Sequence, residues 1–189
     1  TYLSSSSSVF AFEKLSYDSS QTRSGVEAIL SGTFMHNSRP SGSSSTYSSM
    51  IITAAKKSGV SPYHIASRIK QEVGGSMTSG TNGKNASYPG IYNFYNIGAF
   101  QSAAGNAITN GLKWAASGTT YNSPWTSPSK SIIGGAIYIG EAYINVGQNT
   151  LYTQKFNVTY KDCLYWHQYM GNVQAPRTEA AKVYEAYKA

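Results

Sequence analysis

The chain has little cysteine: a single Cys163 in 189 residues. An intrachain disulfide is therefore excluded, and no cysteine cluster exists for zinc or an iron–sulfur centre. Acidic residues are also few, 8 against 15 basic ones, for a net charge of +7. No apolar run is long enough to span a membrane, so membrane insertion is not expected. The histidines His36, His64 and His167 lie far apart and lack a metal spacing such as HExxH. No G-x-S-x-G elbow is present, and Gly134-Gly135 lacks the surroundings of a phosphate loop. Neither a metal nor another cofactor is expected. The positive charge suits an anionic partner, whether nucleic acid, membrane surface or acidic wall polymer. The basic residues are scattered, however, with Lys56-Lys57 as the only adjacent pair. That pattern lacks the basic run of a nucleic-acid arm, and no nucleic-acid partner is expected.

Tyrosine, by contrast, is abundant at 16 residues, with much Ser, Gly and Asn. Rings with polar tips and short amides suit sugar contact, offering a stacking face together with hydrogen bonds. The length fits one domain with a real core, and a monomer is expected. Residues 1–20 carry a serine run and read as a linker, with Val9, Phe10 and Phe12 docking on the body. The start, TYLSSSSSVF, reads as an internal cut from a longer protein. Helices are expected over Ser24–Leu30, from Thr46 or Ser48 to Lys57, over Gln101–Ala116, and from about Ile132 to Val146 behind a Ser129 or Ser131 cap. Asp162 reads as the cap of another, containing Leu164, Trp166 and Met170. A last helix, Thr178–Lys188, is expected to bury Ala181, Tyr184 and Tyr187. Residues 76–100 have turn chemistry throughout, including Asn82-Gly83 and Pro89-Gly90, and read as a small, mobile, irregular or β-like lobe. The sum is α+β, mainly α, with residues 21–189 as one two-lobed domain.

One charge stands in an odd place. The stretch SPYHIASRIKQEVGGS reads as a short helix, with Ser61 as N-cap, Pro62 in the first turn and Gly74-Gly75 as the stop. Ile65, Ile69 and Glu72 fall on one face, so a carboxylate ends an apolar stripe. It also lies at the negative end of the helix dipole. Desolvation and dipole both push towards a raised pKa, as an acid that protonates a leaving glycosidic oxygen requires. The bland alternative is a solvated helix-end Glu paired with Arg68. Among the other carboxylates, Glu13 and Asp18 sit in the linker-like start, and Glu27, Glu179 and Glu185 on short outer helices. Asp162 reads as a cap, and Glu141 on the long helix fits a solvated face at least as well as a site. An acid and its partner carboxylate stand about 5–5.5 Å apart in retaining glycosidases and about 6.5–9.5 Å apart in inverting ones. Sequence spacing does not decide between them.

Four stretches carry a resemblance. They are AAKKSGVSPYHIASRIKQEVGG, GIYNFYNIGAF, PWTSPSKSIIGGAIYIGEAYINVGQNTLYTQKFNV and YWHQYMGNVQAPRTEAAKVYEAY. With LSGTFM near Leu30 they cover roughly Val26 to Tyr187. The chain resembles the peptidoglycan-hydrolysing glucosaminidases of glycoside hydrolase family 73, the autolysins of Gram-positive bacteria. The resemblance implies a lysozyme-like fold, with a helical lobe and a small β-lobe flanking a groove for a glycan strand. It implies hydrolysis of the β-1,4 bond between N-acetylglucosamine and N-acetylmuramic acid. It places Glu72 on the catalytic acid, Tyr143 or Tyr95 near the reacting sugar, and Tyr95, Asn96, Trp125 and Gln148 in substrate binding. Tyr92, Gln101 and Tyr138 join that set. It also implies secretion to the cell wall, with a signal peptide and wall-binding repeats outside this segment, and peptidoglycan strands and anionic wall polymers as partners. Relatives often carry Gly where Asn96 stands, and an uncharged residue where Glu141 stands. Residues 76–100 contain no Asp or Glu. That favours attack by the substrate's own N-acetyl oxygen while Glu72 protonates the leaving oxygen, with a water positioned for inversion as the other route. The alternatives to a glucosaminidase are a non-catalytic wall-binding module, and a muramidase or lytic transglycosylase on the same fold.

Overall fold

Helix starts in this chain are set by side-chain oxygens. In a computed structural model, which describes residues 6–103 and 105–188, six helices each begin at such a cap. Thr22 caps α1 (Arg23–Leu30), Thr46 caps α2 (Tyr47–Ser58) and Ser61 caps α3 (Pro62–Val73). Asn106 caps α4 (Ala107–Ala116), Ser127 caps α5 (Pro128–Ile139) and Thr150 caps α6 (Leu151–Phe156). Each cap accepts a backbone N–H that the first turn leaves without a helical partner. A last helix, α7 (Ala175–Ala186), has Pro176 in its first turn and no side-chain cap. The core joins residues from α1, α2, α3, α5 and α7, with α2 packed along α5 and α3 set against α1 and α7.

Helices α1, α2 and α3 match the sequence expectation closely, and Gly59 and Gly74 end α2 and α3 at positive φ. Elsewhere the structure corrects it. Helix α4 starts at Ala107 because Asn110 ties the preceding loop down, donating to the carbonyls of Phe100 at 2.8 Å and Gly105 at 3.0 Å; Ala103 is exposed. Helix α5 starts earlier than expected, at Pro128. Ser131 does not cap it; its buried hydroxyl accepts the Phe94 N–H at 3.1 Å. The expected long helix to Val146 is two segments, since Gly140–Ile144 widens into a π turn. The Asp162 helix does not form beyond one 3-10 turn, Lys161–Cys163. There the buried Asn157 side chain donates to the Cys163 and Trp166 carbonyls and takes the backbone away from a helical ladder. Helix α7 is rotated from its expected face. Glu179, Ala180, Val183 and Ala186 point inward, while Ala181 and Tyr187 are exposed.

Two further segments differ. Of the stretch read as a linker, residues 1–5 lie outside the described residues, and the rest belongs to the body. Ser6–Phe12 is a 3-10 helix laid on α7, with Phe10 5.6 Å from Tyr184 and 5.3 Å from Tyr187 between ring centroids. Ala11 and Leu15 enter the core, and the Leu15 and Ser16 N–H groups donate to Asn149 Oδ1 at 2.9 Å each. Val9 stays exposed. Residues 76–100 hold no strand; the β component among the described residues is two isolated bridges, Ser16 with Val60 and Ser102 with Gly105. That lobe is fastened at its far end, where Asn93 donates to Ile97 O at 2.9 Å and Gly111 O at 3.0 Å, and Phe94 and Tyr95 enter the core.

Candidate active site

Ile65 and Ile69 are fully buried, as the stripe on α3 requires, and Glu72 ends that stripe half-buried. Burial pushes the Glu72 carboxyl above the usual carboxylate range; Arg68 one turn back and the Asn96 amide oppose this. Asn96 reaches α3 from the lobe and donates to the Glu72 carbonyl at 2.8 Å. Its φ of 51° is left-handed, which Asn tolerates better than most residues.

Below the acid lies a feature that the sequence reading missed. Arg68 is buried, and its guanidinium sits 3.1 Å from the carboxylate of Glu179 on α7. Glu179 is not on an outer helix face but fully buried. The signal was present, since Ala175, Glu179 and Val183 share one face of α7, a charge inside an apolar stripe just as at Glu72. The Arg68 guanidinium also lies 4.2 Å from the Tyr169 ring centroid. Tyr169 was missed too. Burial pushes its phenol well up, and the charges of Arg68, Glu72 and Glu179 all act on it.

Tyr143 joins this cluster through Tyr169, edge to face at 4.8 Å. Its other side stacks on His167, centroids 4.5 Å apart at 23°. Burial raises its phenol to about 12, so it stays protonated across the neutral range. Gln148 holds that stack in place. Its Oε1 lies 2.7 Å from His167 Nδ1, and its Nε2 donates to the His167 carbonyl at 2.9 Å and the Thr153 carbonyl at 3.0 Å. Gln148 is fully buried, and these bonds occupy its amide, so it supports the site and does not face a ligand.

The other expected sugar contacts separate. Trp125 is fully buried, and its indole N–H donates to Tyr121 O at 2.8 Å. Tyr95 is buried against Gly135, its hydroxyl donating to Ile132 O at 2.8 Å. Both are core residues because the small Gly134 and Gly135 let rings pack directly on α5. Tyr138 is half-buried, with edge contacts to Trp114 at 5.7 Å and Tyr121 at 5.2 Å. Tyr92 lines a depression with Tyr47, Met77 and Lys84 that Glu72 does not line. Gln101 is exposed. The structure thus joins Asn96 directly to Glu72 and links Tyr143 to them through Tyr169, adding Arg68, Glu179 and His167 around them. Glu141 is exposed on the π turn. Among the described residues no group of three His, Cys, Asp or Glu is placed to hold a metal ion, and no helix is long and apolar enough to cross a membrane. Chemically, the cluster offers a carboxyl that keeps its proton to higher pH than a solvated one, beside neutral phenols.

No family model matches the chain. A bifunctional autolysin of Staphylococcus epidermidis is 36% identical over 112 residues, covering 55% of this chain and 8% of that protein. A β-N-acetylglucosaminidase of Bacillus subtilis is 30% identical over 139 residues, covering 72% of this chain and 14% of that protein. The chain is a relative of the autolysin-type glucosaminidases. The likeness carried by its motifs is borne out, although it spans only a small part of the length of these relatives. This autolysin relative also shares their fold. Staphylococcus aureus glucosaminidase B superposes with a TM-score of 0.72 at 23% identity, covering 99% of this chain and 68% of that one. A catalytic glutamate-to-alanine mutant of S. aureus autolysin E, solved with the disaccharide NAG-NAM, gives 0.69 at 23% identity, covering 95% and 72%. The expected mainly helical, lysozyme-like fold is therefore present.

Proposed function

We propose that the chain is an endo-β-N-acetylglucosaminidase that hydrolyses peptidoglycan at the β-1,4 bond following N-acetylglucosamine, with Glu72 as the general acid. The observation that carries this reading is the half-buried Glu72 carboxyl, raised by burial and fixed at the end of α3 by Asn96. An acid in that state keeps its proton to higher pH than a solvated carboxyl and can give it to a leaving oxygen. Relatives that bear glucosaminidase and autolysin names, one of them solved with NAG-NAM, supply the substrate class. Tyr143 lines the site as a neutral phenol able to hydrogen-bond the reacting sugar or a water.

The second half of the reaction falls to the substrate. Residues 76–100 offer no carboxylate, Glu141 is exposed, and Glu179 is committed to Arg68. The N-acetyl oxygen then attacks the anomeric carbon as the glycosidic bond breaks and Glu72 gives its proton to the leaving oxygen. Water opens the resulting oxazolinium and returns a proton to Glu72. The net positive charge favours residence on an anionic wall outside the cell, and the chain acts as a monomer on glycan strands.

Product analysis tests this reading. Purified walls are digested, reduced with borohydride and analysed by mass spectrometry. Reduced N-acetylglucosamine at the new ends, absent with Glu72→Gln, is the expected result. Reduced N-acetylmuramic acid, an anhydro-sugar, or full activity in Glu72→Gln overturns it.

A further inference from the structure

The Arg68–Glu179 pair has a place in the chemistry beyond packing. Arg68 stands four residues before Glu72 on the same face of α3, where side chains are neighbours. A free guanidinium there would bind the Glu72 carboxylate and strip the acid of its proton. Instead, among the described residues, Arg68 forms its ion pair with Glu179 of α7 and no other carboxylate, at 3.1 Å. Its flat face is covered by Tyr169 at 4.2 Å. Both members are buried, so solvent screens neither charge.

We propose that Glu179 is a positioning residue for the Glu72 acid: by drawing the Arg68 guanidinium towards α7 and neutralising it, Glu179 keeps that cation off the Glu72 carboxyl. This inference rests on the reading of Glu72 as the acid. The remaining groups around Arg68 do not replace Glu179. On α3, buried His64 is held neutral by burial and by Arg68 itself, and the Lys70 ammonium is turned to the carbonyls of Ile29 at 2.8 Å and Ser31 at 2.7 Å. On α7, half-buried Lys182 adds positive charge beside Glu179. Tyr143 and Tyr169 face the cluster as neutral phenols. From the lobe, Asn96 brings an amide without charge. Among the described residues, Glu179 is thus the only anion balancing Arg68 apart from Glu72 itself.

Two variants separate this role from a structural one. In Glu179→Gln the uncompensated guanidinium turns to Glu72, and the alkaline limb of wall hydrolysis moves to lower pH. On that limb the rate falls about tenfold for each unit of displacement, while the acidic plateau is kept. In the double variant Arg68→Met, Glu179→Met both charges are gone, a replacement that buried ion pairs often tolerate. There the limb returns to its wild-type place or slightly above it, because the residual pull of Arg68 on Glu72 is removed together with its counter-charge. A loss of rate uniform across pH in both variants overturns the proposal. Carbon-13 NMR titration of the Glu72 carboxyl, identified by its absence in Glu72→Gln, reads the same displacements without substrate. Titration of Glu72 displaced to lower pH in the folded double variant, which carries no guanidinium, overturns the proposal even if the single variant fails to fold. Displaced titration with no release of N-acetylglucosamine ends upholds the coupling and sinks the enzymatic reading alone.

Discussion

Asn96 is tied to Glu72 at two points: its side-chain amide donates to the Glu72 carbonyl at 2.8 Å and to the carboxylate Oε2 at 3.4 Å. The first bond satisfies a carbonyl at the open C-terminal end of α3, and the second orients the acid. The backbone of Asn96 is left-handed, with φ 51°. Replacing it therefore separates two effects. Asn96→Gly keeps the backbone free and removes only the amide, and wall hydrolysis should fall about tenfold to a hundredfold through loss of alignment. Asn96→Ala should lose the same activity and in addition be about 1 kcal/mol less stable than the glycine variant, because a Cβ strains that conformation. Initial rates and thermal melts of the two proteins check both halves.

Glu72 should weaken the fold that holds it. Its carboxyl is raised in the folded chain chiefly by burial, so the folded state prefers the protonated form. The sign follows from linkage. The protonated carboxyl contributes fully below the unfolded value, near the ordinary 4.5, and that contribution is lost as pH rises through the folded value. Glu72→Gln, which never ionises, should melt higher than the wild type at neutral pH. The gap should close as pH falls below 4.5. The same substitution should lower wall hydrolysis at least about a hundredfold. Melting temperatures from pH 3 to 8 read the first effect, and a gap that persists at acid pH refutes the assignment of this charge.

Much of the fold was legible because its signals are local. Thr46, Ser61 and Pro62 set helix starts by their own chemistry, and Gly59 and Gly74 set the ends. The stripe Ile65, Ile69, Glu72 located the acid for the same reason. What failed depended on side-chain contacts that no helix or stripe pattern encodes. Asn157 drains the carbonyls that an Asp162 helix would have used. Trp125 and Tyr95 look like sugar platforms until Gly134 and Gly135 admit them to the core. Glu179 carried the same stripe signal as Glu72, yet its meaning came only from Arg68, 111 positions earlier in the chain (179 minus 68).

Gln148 should behave as a support and not as a sugar ligand. Its amide holds His167 from both sides, and His167 carries the Tyr143 ring. Gln148→Ala leaves the His167 and Thr153 carbonyls without this donor inside the protein. The expected loss of stability is about 1–3 kcal/mol. Activity should fall mainly in kcat, as Tyr143 loses its backing. A raised KM with unchanged stability would instead place the Gln148 amide on substrate.

Trp125 gives the sharpest contrast between sequence and structure. An exposed sugar platform would lose binding when truncated and keep its stability. The observed indole is fully buried between α4 and α5, edge-on to Trp114 at 5.1 Å, with its N–H bound to Tyr121 O. Trp125→Ala should therefore cost about 3–5 kcal/mol, the range for emptying an aromatic site in a core. Trp125→Phe retains most of the packing and loses the indole hydrogen bond, for a cost of about 1 kcal/mol beyond the change in volume. Both should leave KM for wall fragments near the wild-type value in the folded fraction, because the side chain at this position is buried in the core and does not reach a ligand. Chemical denaturation set beside KM measurements decides the matter, and a stable Trp125→Ala with weakened sugar binding would return this residue to the glycan site.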